Sequence, residues 1–247
     1  MYHSLSDGRH PDRYSPKYTT TLDQFRGHLG ALNDGGYRLC SVVELLAAID
    51  AGQTALHHSC VLTFDDGHRS SVDMAEAMLA AGVRGTFFLT KEYCEKRPDF
   101  LQAAEIQSLA AQGMDFGTHG TTHRPLKELS ADELETELKD SRHWLEDLLG
   151  RKVDTMSLPA GRGGAAVSNA AFRNGYRLVA NSRERNNELV VLPGELNRFV
   201  VLSHHTPAEV MCIASASPAY ILMRRLRAAA IWLPKKILRP YRQTRTP

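Results

Sequence analysis

Cys60-Val-Leu-Thr-Phe64-Asp65-Asp66-Gly67 joins a short apolar, β-branched run to two adjacent carboxylates and a glycine. A run of that length and composition reads as a strand buried on both faces, and the Asp-Asp-Gly that closes it marks the strand's C-terminal end. Two carboxylates at the end of a buried strand repel each other and resist desolvation unless a cation or hydrogen bonds compensate them. Neighbouring side chains there point in different directions, so one Asp can ligate a metal while the other stays available as a base. Asp-Asp-Gly is also an ordinary turn sequence, and the pair alone leaves both readings open.

Working outward, strand-like and helix-like segments alternate. Leu22, Phe25, Leu29 and Leu32 recur at helical spacing and predict a helix over 21–34, followed by a second over 41–51. Beyond Asp66 the pattern predicts helix 71–81, strand 85–89, helix 101–112, strand 114–118, a long amphipathic helix 131–149, strand 153–158, helix 165–174, and strands 177–180 and 198–202. The stretch 6–20 reads as the most loop-like part. Repeated βα units imply a mainly parallel sheet in a single α/β domain, either open and doubly wound or, as favoured, closed or nearly closed into a barrel. The catalytic domain is expected over 1–206, with 207–247 as a basic helical extension.

The chain has 247 residues, enough for one barrel of this kind. Its 43% hydrophobic and 23% charged content excludes disordered and fibrous classes. The formal charge of +2 conceals an asymmetry, because 221–247 holds eight Lys and Arg and no acid. Such a tail can be a solvated basic terminus or can touch an anionic membrane surface. No apolar run is long enough to span a bilayer, and no nucleic-acid partner is expected. Cys40, Cys60, Cys94 and Cys212 show no paired spacing, so no disulfide is expected. The start Met-Tyr-His-Ser lacks a secretion signal, which predicts a cytoplasmic location with peripheral membrane contact open to the tail.

His119-Gly-Thr-Thr-His123 follows the predicted strand 114–118. On a helical turn, His at i and i+4 would lie on one face about 5–6 Å apart, near enough to share a metal. Placed with Asp66 at the same barrel face, the two imidazoles make a carboxylate and two-histidine set with open positions, as in catalytic zinc sites. Zinc bound there would lower the pKa of water from 15.7 toward about 7 and polarise a carbonyl, which suits amide or ester hydrolysis. Gly161-Arg-Gly-Gly-Ala-Ala166 superficially fits a dinucleotide loop, but no acidic residue ends the following strand.

Thr63-Phe-Asp-Asp-Gly67, His119–His123 and Leu158-Pro-Ala-Gly161 resemble, in order and spacing, the motifs of the polysaccharide deacetylases related to chitooligosaccharide deacetylase. The likeness runs from Tyr2-His3 to about Val201. It implies a distorted (β/α) barrel of about seven parallel strands, with Asp65 as general base, Asp66, His119 and His123 as metal ligands, and zinc, cobalt or nickel as the ion. It also implies that Pro159 forms a groove wall and that the Ala160 backbone N–H donates to the developing oxyanion. Tyr2-His3 is similar to a pair in the exopolysaccharide N-deacetylases, which makes His3 the candidate acid and His205 its alternative. His204 and His205 otherwise read as a solvated loop pair.

Three positions depart from the family pattern: Gly120 replaces Ser or Thr, Ser157 replaces an Arg that orients the base, and Ala160 replaces an aromatic residue. Loss of the Arg predicts a poorly oriented Asp65. The resemblance implies removal of N-acetyl groups from amino sugars of a glycan or glycolipid precursor. The alternatives are a catalytically impaired metal- or glycan-binding protein, or a hydrolase of O-acetyl esters or small cyclic amides.

Overall fold

The computed structural model describes residues 1–6, 16–53, 58–187, 190–224 and 226. Along the chain run β1 (Ser4–Ser6), β2 (Thr19–Thr21), α1 (Leu22–Asp34), β3 (Arg38–Cys40), α2 (Val42–Asp50), β4 (Ser59–Val61), β5 (Thr63–Phe64) and α3 (Ser71–Ala80). There follow β6 (Thr86–Leu89), α4 (Lys91–Lys96), α5 (Ala103–Ala111), β7 (Asp115–Thr118), α6 (Ala131–Leu149), β8 (Thr155–Ser157), α7 (Ala165–Arg173), β9 (Leu178–Ala180), β10 (Gly194–Leu196) and α8 (Pro207–Ala214).

Local chemistry sets the helix starts. Thr21, Ser41, Ser130 and Thr206 each accept a hydrogen bond from the backbone three residues on, and Gln24, Glu44, Glu133 and Glu209 reach back to complete four capping boxes. Gly150, left-handed at φ 65°, ends α6. The expected helices agree with α1, α2, α3, α5, α6 and α7 to within two residues at each end. The short elements β1–β3, α4 and β10 were not foreseen, while α8 falls within the extension expected to be helical. The expected strand at 198–202 is instead irregular, and the last regular strand among the described residues is β10.

β5 to β10 form a six-stranded, all-parallel, curled sheet in the order β10-β9-β8-β7-β6-β5. The chain start extends it: Tyr2 bridges Phe64 in parallel, with Tyr2 N–H donating to Thr63 O (2.9 Å) and Asp65 N–H to Tyr2 O (3.0 Å). Val201 N–H in turn donates to Met1 O (2.9 Å), so the segment after β10 meets the chain start and brings the two sheet edges together. The α/β barrel reading therefore stands, with six regular parallel strands where about seven were expected and the isolated Tyr2 bridge beside β5. All four cysteines are free. No helix among the described residues is long and apolar enough to cross a membrane. The expectation for the basic tail falls largely on 225 and 227–247, outside the described residues.

Alternation along β6 divides the core, since successive side chains face opposite sides of a sheet. Phe87 faces the outer helices and joins a cross-strand aromatic row: Tyr2–Phe64 at 5.7 Å, Phe64–Phe87 at 4.7 Å and Phe87–Phe116 at 5.7 Å between ring centroids. α1, α3 and α5 cover this row through Phe25, Leu29, Met74, Met78 and Ile106. Phe88 points inward, against Val42, Leu45 and Leu46 of α2 and against Leu178, Ala180 and Leu196. A third cluster, with Met156, Val179, Leu138 and Val167, lies under α6 and α7.

The aromatic row fixes the height at which β5 and β7 deliver their terminal residues. Phe87→Ala should cost about 3–5 kcal/mol through the cavity it leaves, read as a drop in unfolding free energy in urea. A loss below about 1 kcal/mol would contradict this packing role.

Candidate metal and hydrolytic site

Every predicted site residue follows the C-terminal end of a strand, the face where barrel enzymes carry their chemistry. Asp65 and Asp66 follow β5, His119 follows β7, Ser157 ends β8 and His3 follows the Tyr2 bridge. Asp66 Oδ1 lies 3.2 Å from His119 Nε2 and 3.0 Å from His123 Nε2, and one ligand atom from each of the three falls within 4.8 Å of the others. His119 Nδ1 lies 3.0 Å from the Ser157 carbonyl, an outer hydrogen bond that turns Nε2 inward toward Asp66. One carboxylate and two oriented imidazoles fit zinc or a similar divalent ion.

Backbone strain brings the donors together. Of the five non-glycine residues with positive φ among those described, Asp66 (75°), His123 (65°) and Ala160 (56°) belong to the three motifs. Such residues cost on the order of 1–3 kcal/mol each and cluster at functional sites. The left-handed turn at Asp66 sends its carboxylate away from that of Asp65. The helical turn expected for 119–123 is absent. Gly120 at φ +77° and His123 make a bend instead, which brings the imidazole centroids to 5.0 Å.

Both carboxylates are buried, which raises their pKa, but opposing charges win in each. Asp65 is lowered by Arg198, His119 and His3; Asp66 is held well below the usual carboxylate range by hydrogen bonds from His119 and His123. His119 loses by burial but is raised overall by Asp65 and Asp66.

The expected weakness at Asp65 is corrected by a residue the sequence reading missed. Arg198, two residues beyond β10 and 5% exposed, donates from both terminal nitrogens to Asp65 Oδ1 (2.7 Å) and Oδ2 (2.8 Å). Its Nε donates to Asn181 O (3.0 Å), and its guanidinium lies over Phe88 at 5.4 Å. A paired, planar fork of this kind holds a carboxylate's orientation better than a point charge does. Ser157, where the family pattern has Arg, donates from Oγ to Asp65 Oδ1 (3.3 Å) and also touches His119 Nδ1. An Arg immediately before the apolar stretch Phe199-Val-Val-Leu202 was the available signal.

His3 lies within electrostatic range of Asp66, Asp65 and His119. Its Nδ1 is buried with no hydrogen-bond partner among the described residues, its ring lies 4.9 Å from Tyr18, and its pKa is lowered by burial while Asp66 and Asp65 oppose the shift. His205 is held elsewhere and is not solvated: it is buried, its Nδ1 accepts the Leu202 N–H (3.0 Å), its carbonyl bonds His28 (2.9 Å), and burial first and Arg224 next push its pKa down to about 4. Pro159 and Ala160 lie at the end of β8, where the Pro159 ring approaches Gly120, and Ala160 is exposed. His68, which hydrogen-bonds Ser70 Oγ (2.8 Å), is buried behind Asp66-Gly67.

The sequence model of the polysaccharide deacetylase family matches residues 52–179, just over half of the chain. The Bacillus subtilis protein YxkH is 24% identical over 179 residues, 72% of this chain and 61% of its own length. Peptidoglycan-N-acetylmuramic acid deacetylase PdaA of the same organism is 27% identical over 150 residues, 59% of this chain and 54% of its own. The chain thus spans less than two thirds of either relative. Among solved structures, the Streptococcus pyogenes deacetylase PplD matches with TM-score 0.74 at 22% identity, covering 86% of this chain and 95% of that one. IcaB from Ammonifex degensii matches with TM-score 0.64 at 20% identity, covering 87% and 95%. These likenesses concern the fold.

The Arg198–Asp65 pair has a pH signature. The folded carboxyl titrates below its unfolded value, so the pair stabilises the protein above about pH 4, and that contribution is lost as pH falls through the folded pKa. Arg198→Met leaves burial as the largest influence on Asp65, so its ionised form then opposes folding. With chelator present, the variant should lose about 3–5 kcal/mol near neutral pH. The gap to wild type should narrow as unfolding is measured at progressively lower pH; a gap independent of pH would contradict the pairing.

Proposed function

This chain belongs to the polysaccharide deacetylase family, and from that premise we propose that it is a divalent-metal-dependent hydrolase removing N-acetyl groups from amino sugars of a polysaccharide, oligosaccharide or glycolipid precursor. The observation that carries the reading is the division of labour between neighbouring carboxylates. Asp66 faces two imidazoles, while Asp65 faces a guanidinium and a hydroxyl. PdaA, whose name specifies an N-acetylated sugar, supports an amide over an ester substrate.

Asp66, His119 and His123 would hold the ion, which when bound supplies Lewis-acid activation of water and of the acetyl carbonyl. Asp65 is the general base: its lowered pKa keeps it ionised at neutral pH, and it accepts the proton of the attacking water. Arg198 holds that carboxylate in place and screens it from its neighbour. The Ala160 backbone N–H donates to the developing oxyanion, and Pro159 forms the adjacent groove wall. His3 delivers the proton that the departing amine requires. Burial lowers its pKa overall, and the nearby carboxylates oppose that shift.

An inactive binding protein is the less supported alternative. Its motivation is Gly120, Ser157 and Ala160, and Arg198 supplies the two-point grip on the base that the single Ser157 hydroxyl does not. Asp65→Asn should retain metal yet release acetate from N-acetylated chitooligosaccharides about 10²–10⁴-fold more slowly with Zn²⁺, Co²⁺ or Ni²⁺ present. Near-normal turnover of that variant would overturn the base assignment. Release by wild type from O-acetyl esters alone would move the substrate class.

A further inference from the structure

The loop carrying both histidines is gripped by a buried carboxylate, that of Glu137. Glu137 is on α6 and 5% exposed. Its Oε2 accepts the backbone N–H groups of Thr121 (2.6 Å) and Thr122 (3.1 Å), and its Oε1 accepts the Thr122 hydroxyl. Its own carbonyl accepts the Thr121 hydroxyl (3.2 Å). On the opposite side, the first backbone N–H groups of α4, those of Lys91 and Glu92, donate to Gly120 O (3.2 Å) and Thr121 O (2.9 Å).

The same carboxylate accounts for Gly120. A Cβ at that position would lie 3.1 Å from Glu137 Oε2, tighter than ordinary contact, and the backbone there is left-handed at φ +77°. Any side chain at 120 would press on the group that holds the next two amides. A buried carboxylate accepting several N–H and O–H bonds is a stiff anchor, because leaving it or its donors unpaired is costly in a dry interior. The bend it fixes lies between His119 and His123.

We infer that Glu137 is a positioning residue for the metal ligands: by clamping Thr121 and Thr122 against the α4 N-terminus it sets the spacing at which His119 and His123 converge on Asp66. The inference rests on the metal-site reading above. Outer contacts of this kind typically change metal affinity 10- to 100-fold when removed.

The test is Zn²⁺ affinity of the full chain, measured by competition with a chromophoric chelator, with unfolding followed separately in chelator. Glu137→Ala should weaken Zn²⁺ binding about 10- to 100-fold, and Glu137→Gln, which keeps shape and one acceptor, should fall between it and wild type. Leu145→Ala, in the core on the same helix, should lower stability while leaving Zn²⁺ affinity unchanged. Should Glu137→Ala fail to fold, Glu137→Gln and Leu145→Ala carry the comparison. Wild-type affinity in the Glu137 variants would overturn the inference, as would an equal loss in Leu145→Ala. No uptake by wild type would instead overturn the metal-site reading itself.

Discussion

Two adjacent carboxylates taken out of water at the end of a buried strand are the constraint around which the rest is arranged. Asp65 and Asp66 are 3% and 4% exposed, so neither charge is relieved by solvent. Burying one unpaired carboxylate would cost several kcal/mol, and two side by side would repel as well. The fold answers by separating them. The left-handed backbone at Asp66 turns its side chain toward β7, where two imidazoles wait, while Asp65 stays aligned with β5 and meets a guanidinium from the far edge of the sheet.

That solution explains the closure of the barrel. Arg198 reaches Asp65 only because the segment after β10 bends back to the chain start, where Val201 bonds Met1 and Tyr2 bonds β5. The charge pair and these backbone bonds close the same seam. His3 follows Tyr2 directly, so the seam also carries the proposed acid to the site. Stability and function are coupled here through short segments, not through a separate scaffold.

Much of this was legible along the chain. Thr63–Gly67 reads as a buried strand with terminal carboxylates because its composition and its glycine are local facts. The longer helices were visible because their caps and apolar spacing are local too. What was not legible depends on distance or on backbone dihedrals. Arg198 and Asp65 are 133 residues apart, and no periodicity announces such a pair. The His-x-x-x-His spacing suggested a helical turn, yet Gly120 and His123 adopt left-handed dihedrals that rest on Glu137, itself one carboxylate among many on an amphipathic helix. His205 read as solvated because its neighbours are polar, whereas the Leu202 amide and His28 hold it inside.

The central claim is that one carboxylate oxygen and two imidazole nitrogens share a divalent ion, and X-ray absorption at the zinc edge of the reconstituted protein addresses it most directly. The account predicts one ion per chain, surrounded by nitrogen and oxygen at about 2.0–2.2 Å, with that signal abolished in Asp66→Ala. A first shell containing sulfur at about 2.3 Å, or an unchanged signal in Asp66→Ala, would contradict it.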